Sequence, residues 1–209
     1  MYSFFLFGFL LCLISLVTAE ILALFFIELN KGKYLSKKEL FLMRAVFFLY
    51  YYFAGRNIEN GSDQDIFSFF TLFFWGYLLT YLDISNHWLP RRYTMLFLIT
   101  GIIGNILYHN FNHNIQLIVS GGLCFLILLT IRQSIIQLSK KEAIGMGDVF
   151  IISGCFFWFS WQVAAFFSGL AFCFLSLISV LLKKNRLPYA PFLFFSMALV
   201  YLTKDRWMV

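Results

Sequence analysis

The chain has 209 residues, of which 61% are hydrophobic and 12% are charged. Soluble globular domains carry about 25% charged residues, so this composition excludes that class and indicates a membrane protein with several spans. The formal net charge of +6 is therefore expected in loops on the cytoplasmic side of a membrane, and not on a surface that binds nucleic acid.

Eight hydrophobic runs follow one another along the chain and predict eight helices. Several runs are shorter than the roughly 20 residues that a perpendicular span needs, so some helices are expected to end within the headgroup region. The runs cover residues 3–29, 40–55, 66–82, 94–108, 115–131, 148–160, 162–182 and 190–203. We therefore predict an all-α fold, a polytopic transmembrane bundle of about eight helices.

The first run is predicted to remain as a transmembrane helix and not to be cleaved as a signal peptide. Val17-Thr18-Ala19 could serve as a cleavage site, but no positive charge precedes the run, and its apolar stretch continues to Leu29. Glu20 lies deep in this run. An acid at that depth is expected to face the bundle or to pair with a cation such as Arg44 of the second run.

The stretch 148–182 predicts two short helices with a tight turn near Ser160-Trp161-Gln162. As a single helix its 35 residues would measure roughly 52 Å, which is too long for one span. With eight spans and the N-terminus outside, twelve of the 16 basic residues fall on the inner side, as the positive-inside rule requires. These are Lys31, Lys33, Lys37, Lys38, Arg91, Arg92, Arg132, Lys140, Lys141, Lys183, Lys184 and Arg186.

Two aspartates lie at the ends of hydrophobic runs, where a carboxylate is costly. Asp83 closes the third run, and Asp148 opens the sixth within the sequence Gly145-Met146-Gly147-Asp148. Because glycine lowers helix propensity, Gly145 and Gly147 are expected to provide unusual backbone angles or to let a substrate strand approach closely. The predicted topology puts both aspartates at the inner face, where each could also be a solvated boundary residue.

Four ordered motifs resemble the prepilin peptidase family, the type IV leader peptidases, which are Gly-x-Gly-Asp aspartic proteases of membranes. They are an aspartate seven residues before a proline at 83–90, the longer Gly-x-Gly-Asp motif at 141–149, a run at 187–193 similar to the family's Pro-Phe-Gly-Pro-Phe-Leu, and a segment at 36–45. The resemblance implies a membrane catalytic domain over residues 36–209. Residues 1–35 then form an N-terminal transmembrane helix with a short basic cytoplasmic loop.

The resemblance implies that Asp83 and Asp148 are the catalytic pair, supported by Gly145 and Gly147, and that neither a metal nor a cofactor is needed. Two carboxylates in one site of low dielectric tend to share a proton. The ionised carboxylate can then take a proton from water while the protonated one polarises the scissile carbonyl. Asp148 would also lie near a helix N-terminus, where the dipole favours a negative charge.

The substrate implied by the resemblance is a prepilin or pseudopilin of a type IV pilus or type II secretion system. Its short basic leader would be cut off after the final glycine at the cytoplasmic face of the bacterial inner membrane. Pro90, Pro188 and Pro191 are candidates for shaping a substrate groove. Equally, Pro188 and Pro191 could simply begin the last helix, since proline is favourable in a first turn.

Some residues depart from the family pattern. Bifunctional members have a large cytoplasmic loop with two Cys-x-x-Cys pairs, associated with N-methylation of the product. Here residues 29–36 form only a short connection and the four cysteines are single, so we predict peptidase activity without methyltransferase activity. Three residues differ from those usual in the family. Phe150 stands where a lysine is common, Arg91 stands where an acid or amide is usual, and Ala190 replaces the middle glycine of the C-terminal motif. These changes are expected to affect substrate preference more than catalysis.

Two other functions are consistent with Asp83 and Asp148. The first is a non-catalytic membrane scaffold or a small proton-coupled transporter. A transporter is expected to show internal repeats, and no convincing repeat is present. An intramembrane aspartic protease with other single-span substrates is another, although the Leu89-Pro90 spacing and the C-terminal proline motif favour prepilins. His87 lies near Asp83 and is either a hydrogen-bonding group in the site or a solvated loop residue.

Overall fold

The computed structural model describes residues 2–58, 63–87, 89–108, 111–140, 144–184 and 187–202. Over these residues the chain forms eight α-helices and no strand, which confirms the predicted all-α fold. The helices are α1 (Tyr2–Leu29), α2 (Lys37–Ile58), α3 (Asp63–Asn86), α4 (Arg91–Tyr108), α5 (Phe111–Ser139), α6 (Met146–Trp158), α7 (Trp161–Leu182) and α8 (Ala190–Leu202).

The predicted division of residues 148–182 into two helices is confirmed. α6 ends at Trp158, and Phe159 takes an extended conformation with φ −131° and ψ 157°. The carbonyl of Ser160 then accepts a hydrogen bond from the Ala164 amide at 3.0 Å, which closes the first turn of α7. The turn lies one residue before the predicted position.

Within the described residues, four helices are long and apolar enough to cross a membrane, over Gly8–Leu29, Ile66–Asn86, Ile115–Ser139 and Trp161–Leu182. α6 and α8 have 13 residues each, about 20 Å at the rise of an α-helix, which is shorter than the hydrocarbon core. The chain is therefore a multi-pass membrane protein. Its orientation stays a prediction, and two of the twelve basic residues on which it depends, Lys141 and Arg186, lie outside the described residues.

The chain forms two compact units, and each is built around one central helix. The first unit comprises Met1–Trp88 and Ala171–Val209, and in it α3 packs against α1, α2 and α8. The second unit comprises Leu89–Leu170, and in it α6 packs against α4 and α5. The predicted boundary between residues 35 and 36 stays a prediction.

The core of the first unit is aromatic, and an ion pair lies within it. The rings of Phe73 and Tyr77 are fully buried and meet Phe47 edge-on, at centroid distances of 5.6 and 5.1 Å. Arg44 donates to both oxygens of Glu20, at 2.7 Å from Nε and 2.6 Å from Nη2, and the Tyr77 hydroxyl donates to Glu20 Oε1. The expected Glu20–Arg44 pair is confirmed, and it links α1, α2 and α3.

Gly76 brings α8 close to α3. A Cβ atom at this position would lie 2.9 Å from Cδ1 of Phe194, closer than carbon atoms pack. The ring of Phe194 therefore occupies the space that a side chain would need. This contact holds the beginning of α8 beside the second half of α3, where Asp83 lies.

Candidate active site

Asp83 lies in the last turn of α3 and is 5% exposed. Its Oδ2 accepts a hydrogen bond from the backbone amide of Ala190 at 2.8 Å. Ala190 is the first residue of α8, and amides in a first turn have no partner within their own helix. The N-terminus of α8 therefore orients the Asp83 carboxylate, so that the run at 187–193 and the third helix contribute to one site.

The prolines of the C-terminal run lie on either side of Ala190. Pro188 precedes α8, and Pro191 is its second residue, where the missing N–H costs no intrahelical hydrogen bond. The carbonyl of Tyr189 accepts the amides of Phe192 and Leu193, both at 3.1 Å. Pro191 therefore does begin the last helix, and it also lines the groove described below. A substrate-binding role for Pro188 stays a prediction.

The segment after Asp83 is fixed by backbone hydrogen bonds. His87 donates its backbone amide to the Asp83 carbonyl at 2.8 Å and has φ of 50°, the left-handed conformation common after a helix end. Its side chain is exposed. The imidazole therefore has the surroundings of a solvated loop residue.

Asn86 connects the end of α3 to the loop between α1 and α2, a contact that the sequence did not predict. Its Oδ1 accepts the Lys33 amide at 2.7 Å, and its Nδ2 donates to the Lys33 carbonyl at 3.3 Å. A Cβ atom on Gly32 would lie 2.7 Å from the same Oδ1. The short basic loop is thus held one turn away from Asp83.

Asp148 is the third residue of α6, in the second unit, and is half-buried. Its Oδ2 accepts the backbone amide of Gly145 at 3.3 Å, which is half of a capping box. Gly145 is the N-cap, in an extended conformation with φ −67° and ψ 147°. The expected position of Asp148 at a helix N-terminus is confirmed.

The glycines of the Gly-x-Gly-Asp motif have a different purpose from the one expected. No described glycine has a positive φ, so the expectation of unusual backbone angles was wrong. A Cβ atom on Gly147 would lie 2.5 Å from Leu89 Cβ and 2.8 Å from Leu89 O. Close approach is therefore the requirement at Gly147, and the approaching strand is the chain's own Leu89-Pro90 segment. Residues 141–143 of the longer motif lie outside the described residues.

The Leu89-Pro90 segment also begins α4. The Pro90 carbonyl accepts the amides of Tyr93 and Thr94, both at 3.1 Å. Both Leu89 and Pro90 are buried. Pro90 thus positions the start of α4 beside the first turn of α6, and its predicted contact with substrate stays a prediction.

The departure at Phe150 has a local structural reason. Phe150 is 7% exposed, and its ring packs on Phe125 of α5 at a centroid distance of 5.3 Å. An apolar side chain suits this contact between α5 and α6.

Asp83 and Asp148 lie in different compact units.

Comparison with protein families gives one match. Residues 70–203 match the model of the type IV leader peptidase family, which is well over half of the chain. The matched segment begins in α3 and includes Asp83, the Gly-x-Gly-Asp motif and α8. The comparisons with curated proteins and with solved structures gave no match.

Proposed function

The chain belongs to the type IV leader peptidase family, and on that premise we propose that it is an aspartic endopeptidase which removes the short basic leader from prepilins or pseudopilins. Membership makes the chain a membrane peptidase. The aspartic mechanism, the substrate and the cytoplasmic face of the bacterial inner membrane belong to the proposal. So does the absence of N-methyltransferase activity.

The observation that carries the proposal is the position of the two acids within the matched segment. Asp83 lies near the end of the candidate span Ile66–Asn86, and Asp148 lies in the first turn of α6. A prepilin-like substrate changes from a polar leader to an apolar helix at its cleavage site. Acids at helix ends, and not at mid-span, are suited to a peptide bond at that junction.

In the proposed mechanism Asp83 and Asp148 act as a pair that holds one proton. The ionised carboxylate takes a proton from a water molecule, and the water oxygen adds to the scissile carbonyl carbon. The protonated carboxyl gives its proton to the carbonyl oxygen. The C–N bond then breaks as the amine leaves with a proton, so no covalent acyl-enzyme forms. Such a pair titrates as a unit, so neither residue has a fixed role.

Cleavage of a prepilin by purified protein in detergent or vesicles tests the proposal. The variants Asp83→Asn and Asp148→Asn keep the side-chain size and remove the carboxylate, and each is expected to lose activity by about three orders of magnitude or more. Glu28→Gln, at an exposed acid at the end of α1, is the matched control and should cut at the normal rate. Cleavage that survives either aspartate substitution would contradict the paired mechanism. An unaltered protein that cuts no prepilin would instead favour the scaffold or transporter.

A further inference from the structure

An apolar groove of about 450 Å³ lies within the first unit, between α2, α3 and α8. Its walls include Met43, Leu72, Phe194 and Met197. It runs along α2 from Glu39 to Tyr50, a length of roughly 17 Å at the rise of an α-helix. The groove therefore has the length of about three helical turns.

One end of the groove adjoins Asp83. Ile84 and Pro191 line this end, and they follow directly on Asp83 and Ala190, whose side-chain oxygen and amide form the 2.8 Å hydrogen bond. Glu39, an exposed acid in the first turn of α2, lines the same end. A molecule that extends out of the groove at this end therefore passes Asp83 and reaches a negative charge.

We propose that this groove binds the first three turns of the substrate's apolar helix, with one ridge of side chains against α2, α3 and α8. The leader then leaves the groove past Asp83, and the Glu39 carboxylate attracts its basic residues. This inference rests on the proposed function and names the surface that selects its substrate.

The proposal is tested by comparing the cleavage kinetics of a variant whose groove is filled by a larger side chain with those of the unaltered protein. Ala198→Phe puts a ring into the groove and is expected to raise KM about tenfold or more with little change in kcat, because it removes ground-state binding. Val180→Phe, at a residue of α7 that is 76% exposed, is the control for added bulk and should leave KM unchanged. Equal kinetics for Ala198→Phe and the unaltered protein would overturn the proposal while the proposed function stands.

The proposed attraction between the Glu39 carboxylate and the basic leader is tested by the variant Glu39→Gln. Glu39 accepts the Ser36 amide at 2.9 Å, and Ser36 Oγ accepts the Glu39 amide at 3.3 Å. Glutamine keeps this capping box, so only the charge is lost. KM is expected to rise severalfold for a substrate with a basic leader and to stay constant for one with a neutral leader. An equal effect on both substrates would contradict charge recognition.

Photocrosslinking identifies the occupant even if no cleavage is found. A photoreactive phenylalanine analogue in place of Leu42, which lines the groove, should capture the prepilin helix in vesicles that contain both proteins. The same analogue in place of Val180 is the control. Capture of lipid alone at position 42 would refute the proposal. Capture of the prepilin without any cleavage would support the groove and refute the peptidase proposal.

Discussion

At the scale of the residue, both candidate acids are oriented by the same kind of group. Asp83 accepts the amide of Ala190 at the start of α8, and Asp148 accepts the amide of Gly145 before α6. Amides at a helix N-terminus carry a fixed partial positive charge, and they cannot rotate away as a side chain can. Each carboxylate is thus positioned by a backbone amide, a group that is present whatever side chain stands at that position, unless the residue is proline.

Gly147→Ala is the residue change with the clearest expected outcome. The new methyl group would lie 2.8 Å from the Leu89 carbonyl oxygen and 2.5 Å from its Cβ, and both Leu89 and Pro90 are buried. Overpacking of this kind costs about 1–3 kcal/mol. We expect a lower Tm in detergent and a loss of prepilin cleavage, because the start of α6 carries Asp148.

Gly122→Ala is the matched control, since a Cβ atom on Gly122 has no neighbour within 4 Å. Alanine in a helix is favoured over glycine by about 1 kcal/mol, so this variant should be equally stable or more stable, with normal cleavage. A stable and active Gly147→Ala protein would contradict the close contact at Leu89.

At the scale of the element, the helices could be predicted from the sequence because apolar runs and polar breaks are local properties. A break between α6 and α7 was predicted because the stretch 148–182 is too long for one span. The Glu20–Arg44 pair was predicted because an acid deep in a membrane helix is costly. The contacts that orient Asp83 and Asp148 could not be predicted in the same way. They use backbone amides of Ala190 and Gly145, and every residue except proline has such an amide, so no residue type marks them.

The Glu20–Arg44 pair predicts a coupled effect on the packing of α1 and α2. Glu20→Gln leaves the Arg44 charge without its counter-ion, and the effect is reduced because the Arg44 side chain is 47% exposed. A double-mutant cycle with Arg44→Leu should give a coupling free energy of about 1–3 kcal/mol. Denaturation in detergent measures it, with Glu28→Gln as the control that should not change stability. Additive effects of the two substitutions would refute the coupling.

At the scale of the whole molecule, the two compact units share one plan. Each has a central helix, α3 in one and α6 in the other, and each central helix carries one of the two acids near its end. This plan was not visible in the sequence, because the first unit joins the beginning of the chain to its last helix. The family match includes α3 from residue 70 onward and the whole of α6, so the matched part of the chain holds both acids.

The short connection between α1 and α2 predicts a single activity. It runs from Asn30 to Ser36, and Asn86 holds its Lys33 at both backbone groups. Such a loop has no room for a second catalytic module. Incubation with a prepilin and labelled S-adenosylmethionine should therefore give cleaved but unmethylated product, read by mass spectrometry, with a family member that has the Cys-x-x-Cys loop as the positive control. A methylated product would contradict this prediction.

The bond between Asp83 and Ala190 also sets an order of events during biosynthesis. The two residues are 107 positions apart, so α3 is synthesised long before its partner amide exists. Until the last helix has been made and has packed beside Gly76, the Asp83 carboxylate lacks the Ala190 amide. On the proposed function, a chain still on the ribosome therefore carries an incomplete site, and the site is completed only when synthesis of the chain is almost finished.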